Sequence, residues 1–171
     1  PSVLDTNKWK KLEADVIHTA LKDNKNLLGV CYGHQLIAMT LFGEDAVCRR
    51  ESKSLHPEIG WTKITVRKSD PLFGNLGTEY WGYVSHFDDV CKVDEKRAEI
   101  IADSSACAIQ AFRVKGYNIW GIQPHFEITP EAAAIYLEQK KKKYPHLADK
   151  FLLEPHDSGF IVTLMSRFQE L

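Results

Sequence analysis

Charge of one sign is what this sequence most plainly lacks. Its 22 Lys and Arg stand against 23 Asp and Glu, a formal net charge of −1. No basic surplus points to nucleic acid, and no acidic tail appears. Long apolar runs are missing too, and none approaches the roughly 20 residues of a membrane-spanning helix. The opening "PSVLDTNKWKK" does not read as a signal peptide. The expectation is a cytoplasmic protein with neither nucleic acid nor membrane as partner. Cysteine is scarce: Cys31, Cys48, Cys91 and Cys107 form no C-x-x-C pair, which argues against a zinc ribbon, a redox dithiol or a disulfide scaffold. Repeats, low-complexity tracts and a Ser/Pro linker are also absent. The 171 residues suit a single domain with a sizeable core.

What is present is an alternation of helical and strand patterns. Asp5 or Thr6 can cap a first helix, in which Trp9, Leu12, Val16, Ile17, Ala20 and Leu21 recur at helical spacing. "LLGV" (27–30) is short, apolar and bounded by polar turn residues, so it reads as a buried strand. Residues 33–42 read as a helix, stopped by Gly43. Strands are expected at 59–66, 79–86, 98–104, 107–114 and 117–123, with a hairpin around "KGY". A helix over 130–143 has Thr129 as cap and Pro130 in its first turn. A last helix, 158–171, places Phe160, Ile161, Leu164, Met165 and Phe168 on one face. The run "QKKKK" (139–143) reads as a solvated helix end. The expected fold is α/β, a mostly parallel sheet flanked by helices with an added antiparallel hairpin.

The chemistry concentrates at "GVCYG". A strand that turns sharply into a helix can hold one side chain up at the edge of the sheet, and flanking glycines permit that turn. Here the side chain is Cys31. The helix behind it lowers the thiol pKa. The N–H of Tyr32 is placed to meet an oxyanion on an attacked carbonyl. A thiol nucleophile needs a base, and the base needs an orienting group. Two H-x-E patterns offer one, His56-Pro57-Glu58 and His125-Phe126-Glu127. The first lies in a polar stretch with no strand before it. The second follows "YNIWGIQ" directly, so His125 projects from a sheet edge with Glu127 close enough to orient it.

These segments resemble the motifs of the class I (triad) glutamine amidotransferases. "GVCYGHQ" is similar to their G-x-C-x-G-x-Q, and "GIQPHFE" to their late Q-x-H-x-E. "YVSHFDDV" resembles the S-H-G-D-x-V segment of GMP synthase amidotransferase domains, and the order is the family's order. The resemblance implies a flavodoxin-like sheet with a nucleophile elbow. It implies Cys31 as nucleophile, His125 as base and then acid, and Glu127 as orienter. For substrate binding it implies Tyr32, Gly33, Gln35, Ser85, His86, Phe87 and Asp88. Cys31 would attack the glutamine γ-carboxamide, release ammonia and leave a γ-glutamyl thioester for water to hydrolyse to glutamate. No cofactor or metal is implied.

Three departures accompany the likeness. Phe87 stands where the family often has glycine, and the late motif reads P-H-F-E where many members have F-H-P-E. The family also begins with a strand, a helix and a second strand ending in a glycine-rich loop that supplies the other oxyanion donor. "PSVLDTNKW" resembles the segment just after that loop, so residues 1–171 are expected to be one amidotransferase-like domain lacking that N-terminal strand–helix–strand. No G-x-x-x-x-G-K-[ST] loop is present, so an ammonia acceptor would be a separate synthetase chain. Two other readings use the same fold: a γ-glutamyl peptide hydrolase with the same triad, and a non-catalytic glutamine-binding module.

Overall fold

The computed structural model describes residues 2–5, 8–51, 55–74, 78–154 and 160–171, with only the backbone described at 160–162. Its elements in chain order are α1 (Lys10–Lys22), β1 (Leu27–Val30), α2 (Tyr32–Phe42), β2 (Val47–Arg49), β3 (Glu58–Val66), β4 (Glu79–His86), β5 (Asp88–Val90), β6 (Ala98–Asp103), β7 (Ala111–Val114), β8 (Ile119–Ile122), α3 (Pro130–Lys143) and α4 (Phe160–Glu170). The apolar patterns thus fall on the elements they imply. Thr129 caps α3 as expected, accepting from the Ala132 N–H at 3.3 Å. Asp5 does not cap α1; the cap position is Trp9, with no side-chain bond, and Thr6 lies outside the described residues.

A six-stranded sheet runs in the order β1-β8-β7-β6-β3-β4. The β1–β8 pair is parallel, with Leu27 opposite Ile119 and Val30 opposite Ile122. The remaining neighbours are antiparallel, so this part of the sheet is larger than the single hairpin expected. The reason is connection length: β3–β4, β6–β7 and β7–β8 are joined without a helix, and only antiparallel strands can close over such short links. The "KGY" hairpin lies between β7 and β8, with Gly116 at φ 80°. A second sheet pairs β2 with β5.

Helices cover both faces. α1 and α2 pack through Ile17, Ala20, Ile37 and Leu41 with Phe112 and Ile119. On the opposite face Trp120, Ile122 and Ile101 meet Leu72, Phe73 and Leu164 of α4. Successive residues of β8 therefore feed opposite layers, as the two-residue strand period requires. A third cluster sets Ala133 and Leu137 of α3 on Ile59, Trp61 and Tyr83. The apolar stripe of α1 is only half covered: Ile17 and Ala20 are buried, while Trp9, Leu12 and Val16 remain 56%, 60% and 59% exposed.

Candidate active site

The parallel pair brings the ends of β1 and β8 to the same sheet edge. The Cys31 N–H donates to the Ile122 carbonyl at 2.8 Å, which ties the cysteine to the strand that leads into Gln123-Pro124-His125. Cys31 itself sits at φ 50°, ψ −100°. This is a conformation an L-residue rarely adopts, and it marks a sharp strand-to-helix turn. Gly29 is what permits the approach of α2: a Cβ there would lie 2.6 Å from the Gly33 carbonyl carbon.

His125 is fixed on the other side. Its backbone N–H donates to the Tyr83 carbonyl at 2.7 Å, docking it on β4. Its Nδ1–H donates to Glu127 Oε1 at 2.5 Å, and the ring and the Cys31 thiol line the same cleft. Burial opposes charge on His125, but the bonds to Cys31 and Glu127 outweigh it and push its pKa up to about 10. Burial likewise opposes the Cys31 thiolate. The hydrogen bond and charge of His125, the charge of His86 and the Tyr32 N–H together hold the thiol below its ordinary range. Glu127 is also held below its ordinary value, burial being outweighed by His125. The arrangement favours a thiolate–imidazolium pair. By contrast, burial drives the Cys107 thiol strongly upward.

Cys31, His125 and Glu127 open onto one cleft of about 1020 Å³, whose walls include Tyr32, Gln35, Tyr83, Ser85, Phe87 and Asp88. The matching family model, described as glutamine amidotransferase class-I, spans residues 5–142. The chain belongs to this family. Among curated relatives, a glutamine-hydrolysing GMP synthase subunit from Methanocaldococcus jannaschii is 40% identical over 112 residues, 66% of this chain and 56% of the relative. Its counterpart in Methanococcus maripaludis is 36% identical over 110 residues, 64% of this chain and 54% of the relative. The chain spans about half the length of the curated relatives it matches. A solved glutamine amidotransferase from Thermotoga maritima has a TM-score of 0.76 over 94% of this chain and 70% of its own, at 22% identity. The α/β fold, a sheet flanked by helices, is therefore the amidotransferase fold.

Not every residue taken from the amidotransferase motifs faces the cleft as the resemblance implies. Gly33 lies in the first turn of α2 but is not among the lining residues, and a Cβ there would meet open space. His86 lines the cleft, but its ring is buried and both nitrogens are engaged: Nε2 lies 3.1 Å from Glu58 Oε2, and Nδ1 lies 3.1 Å from both the Asp88 carbonyl and Asp89 Oδ1. It is a hydrogen-bonded core histidine, with neither nitrogen left for a substrate. The amide nitrogen of Gln35 is also engaged, donating to the Asp88 carbonyl at 2.7 Å and to Gln123 Oε1 at 3.1 Å. What Gln35 retains for a ligand is its oxygen. The Ser85 hydroxyl and the Tyr83 phenol are buried and have no partner among the described residues, although both residues line the cleft.

A charged group behind the site escaped the sequence reading. Arg50 donates to both Asp89 oxygens at 2.9 and 2.8 Å and lies 3.9 Å from Glu58. With His86 this makes two cations and two carboxylates, all buried. Burial opposes the charge on His86, yet Asp89 and Glu58 raise its pKa to about 9. Glu58 belongs to the H-x-E pair set aside for catalysis. The signal that could have found it is its place at the head of the apolar strand "EIGW", where a carboxylate is rarely buried without a partner.

Proposed function

We propose that this chain hydrolyses the γ-carboxamide of glutamine with Cys31 as nucleophile. The observation that carries this reading is the elbow cysteine sharing one cleft with His125, whose ring nitrogen lies 2.5 Å from Glu127. The thiolate attacks the side-chain carbonyl carbon, and the Tyr32 N–H faces the oxyanion that forms. His125 gives its proton to the departing nitrogen, releasing ammonia and leaving a γ-glutamyl thioester. Water then attacks the thioester carbon, His125 takes its proton, and glutamate leaves as the C–S bond breaks. Glu127 keeps the ring oriented and supports its charge throughout.

Residues 1–171 serve as one catalytic domain in this reading. The ammonia passes to a separate synthetase chain, which accords with the naming of the relatives as glutamine-hydrolysing GMP synthase subunits. The decisive experiment follows glutamate release from glutamine, and in parallel from γ-glutamyl dipeptides, using the full-length protein with and without a synthetase partner. Glutamate release that vanishes in Cys31→Ala is expected. Labelling of Cys48, Cys91 or Cys107 in preference to Cys31 by a glutamine-like electrophile would overturn the assignment.

A further inference from the structure

One wall of the cleft has no part in the chemistry at Cys31. It is formed by α3 and the residue that follows it. Tyr136, Lys140 and Tyr144 recur every four residues, so they share one helix face, and all three line the cleft. Phe87 meets them from the turn between β4 and β5, its ring 5.3 Å from that of Tyr144. The Lys140 ammonium lies 5.7 Å from the Phe87 ring centre and 5.9 Å from that of Tyr144. Lys143 lies 5.3 Å from the Tyr144 ring.

These lysines differ from their neighbours in charge compensation. Arg49, also at the cleft, lies 3.2 Å from Asp5 and 3.3 Å from Asp88. Lys141 is paired with Glu138 at 2.8 Å. Among the described residues, Lys140 and Lys143 have no carboxylate partner. Aromatic faces hold an ammonium in place without neutralising it, so this wall presents uncompensated positive charge to whatever occupies the cleft.

Distance along the cleft decides which part of a ligand meets that charge. Tyr83, Ser85, His86 and Phe87 all line the cleft, so the end of β4 and the turn after it run along its floor. The base His125 is docked at Tyr83, and Phe87 lies four residues on, roughly 13 Å at the rise of a strand. The departing nitrogen must stay at His125. A γ-glutamyl substrate lying along this floor would carry its α-carboxylate toward Phe87, where the Lys140 ammonium stands 5.7 Å from the ring centre.

Resting on the γ-carboxamide reading above, we propose that Lys140 is a specificity residue that selects substrates with a free α-carboxylate. Phe87 and Tyr144 fix its ammonium in the cleft, and Lys143 adds to the field.

The test compares glutamine with glutaminamide, whose α-carboxylate is replaced by a neutral amide, in the full-length wild type, Lys140→Met and Lys140→Arg. The wild type should favour glutamine at least tenfold in kcat/KM. Lys140→Met should raise the KM for glutamine five- to twentyfold with kcat within twofold, and bring the glutamine-to-glutaminamide ratio close to one. Lys140→Arg should restore most of that ratio. Labelling of Cys31 by a γ-electrophilic glutamine analogue, as acid and as α-amide, should give the same ranking without turnover. An unchanged ratio in Lys140→Met, or equal losses on both substrates, overturns the proposal while leaving glutamine hydrolysis intact. If the wild type neither releases glutamate nor is labelled at Cys31, the hydrolytic reading falls and the Lys140 proposal falls with it.

Discussion

His125 and His86 each lie within hydrogen-bond distance of a carboxylate, and burial opposes the charge on both, yet their surroundings differ. The His125 side chain keeps 26% of its exposure and rests on one carboxylate and one thiol. The His86 side chain is 1% exposed and lies between Glu58 and Asp89, with Arg50 completing the group. Both are raised, to about 10 and about 9. The difference lies in what can remove the support. In the proposed reaction the thiolate becomes a thioester, and His125 then loses one of the two groups that hold its proton. Nothing in the reaction alters Glu58 or Asp89. In that reaction His125 releases a proton, whereas His86 stays a fixed charge behind Cys31.

The largest effects would break this contrast at its reactive end. Cys31→Ala should abolish glutamate release, and His125→Asn should lower turnover by about 10²–10⁴-fold. Both should lower the urea midpoint less than loss of the fully buried His86 does, since both positions face the cleft. Comparable unfolding of His125→Asn would show that this histidine is structural. Next, His86→Asn removes a cation from between two buried carboxylates. It should cost about 3–5 kcal/mol of stability, read from urea denaturation, with a smaller loss of turnover per folded molecule than His125→Asn gives.

pH separates the two sites further. His86 is raised from 6.5 to about 9 in the folded state. Its contribution to stability is therefore complete below pH 6.5 and is lost as pH rises through about 9. The wild-type urea midpoint should fall across that window, and the fall should be smaller in His86→Asn. At the reactive site the thiol is depressed and His125 raised. Alkylation of Cys31 should therefore persist to lower pH than for a free thiol, and turnover should decline as pH passes about 10. A Cys31 alkylation profile like that of free cysteine would contradict the ion pair. The smallest effect is expected from His56→Asn, which should change turnover by less than twofold.

That Cys31 and His125 share a cleft was legible because each is written locally. Cys31 stands between glycines after an apolar strand, and His125-Phe126-Glu127 follows another, so short windows reveal both. The fixed charge is written across distance: Glu58 lies 28 positions from His86 and Arg50 39 from Asp89, and each alone reads as a solvated side chain. The same limit explains β2 and β5, whose three residues each carry no usable period. Periodicity found α1 but could not say how much of its apolar stripe would be covered. It also extended β7 back to Cys107, although the strand begins at Ala111, because Cys107 and Ile109 are buried without being in the ladder. The lysines of 139–143 read as one solvated run, yet the helix turns Lys140 and Lys143 to the cleft and leaves Lys141 to pair with Glu138.

The parallel pairing of β1 with β8 joins stretches about ninety positions apart in the chain. Helices α1 and α2 need only their own neighbourhoods, whereas this pairing must wait for a long loop to close, and non-local closure is slow. Cys31 meets His125 only after that step. Its acidity is therefore absent from the early folding chain and arrives with one late event. During refolding from urea, trapping of Cys31 by an alkylating agent at mildly acidic pH should lag behind the recovery of helical circular dichroism. A single thiol then keeps time for the assembly of the whole sheet.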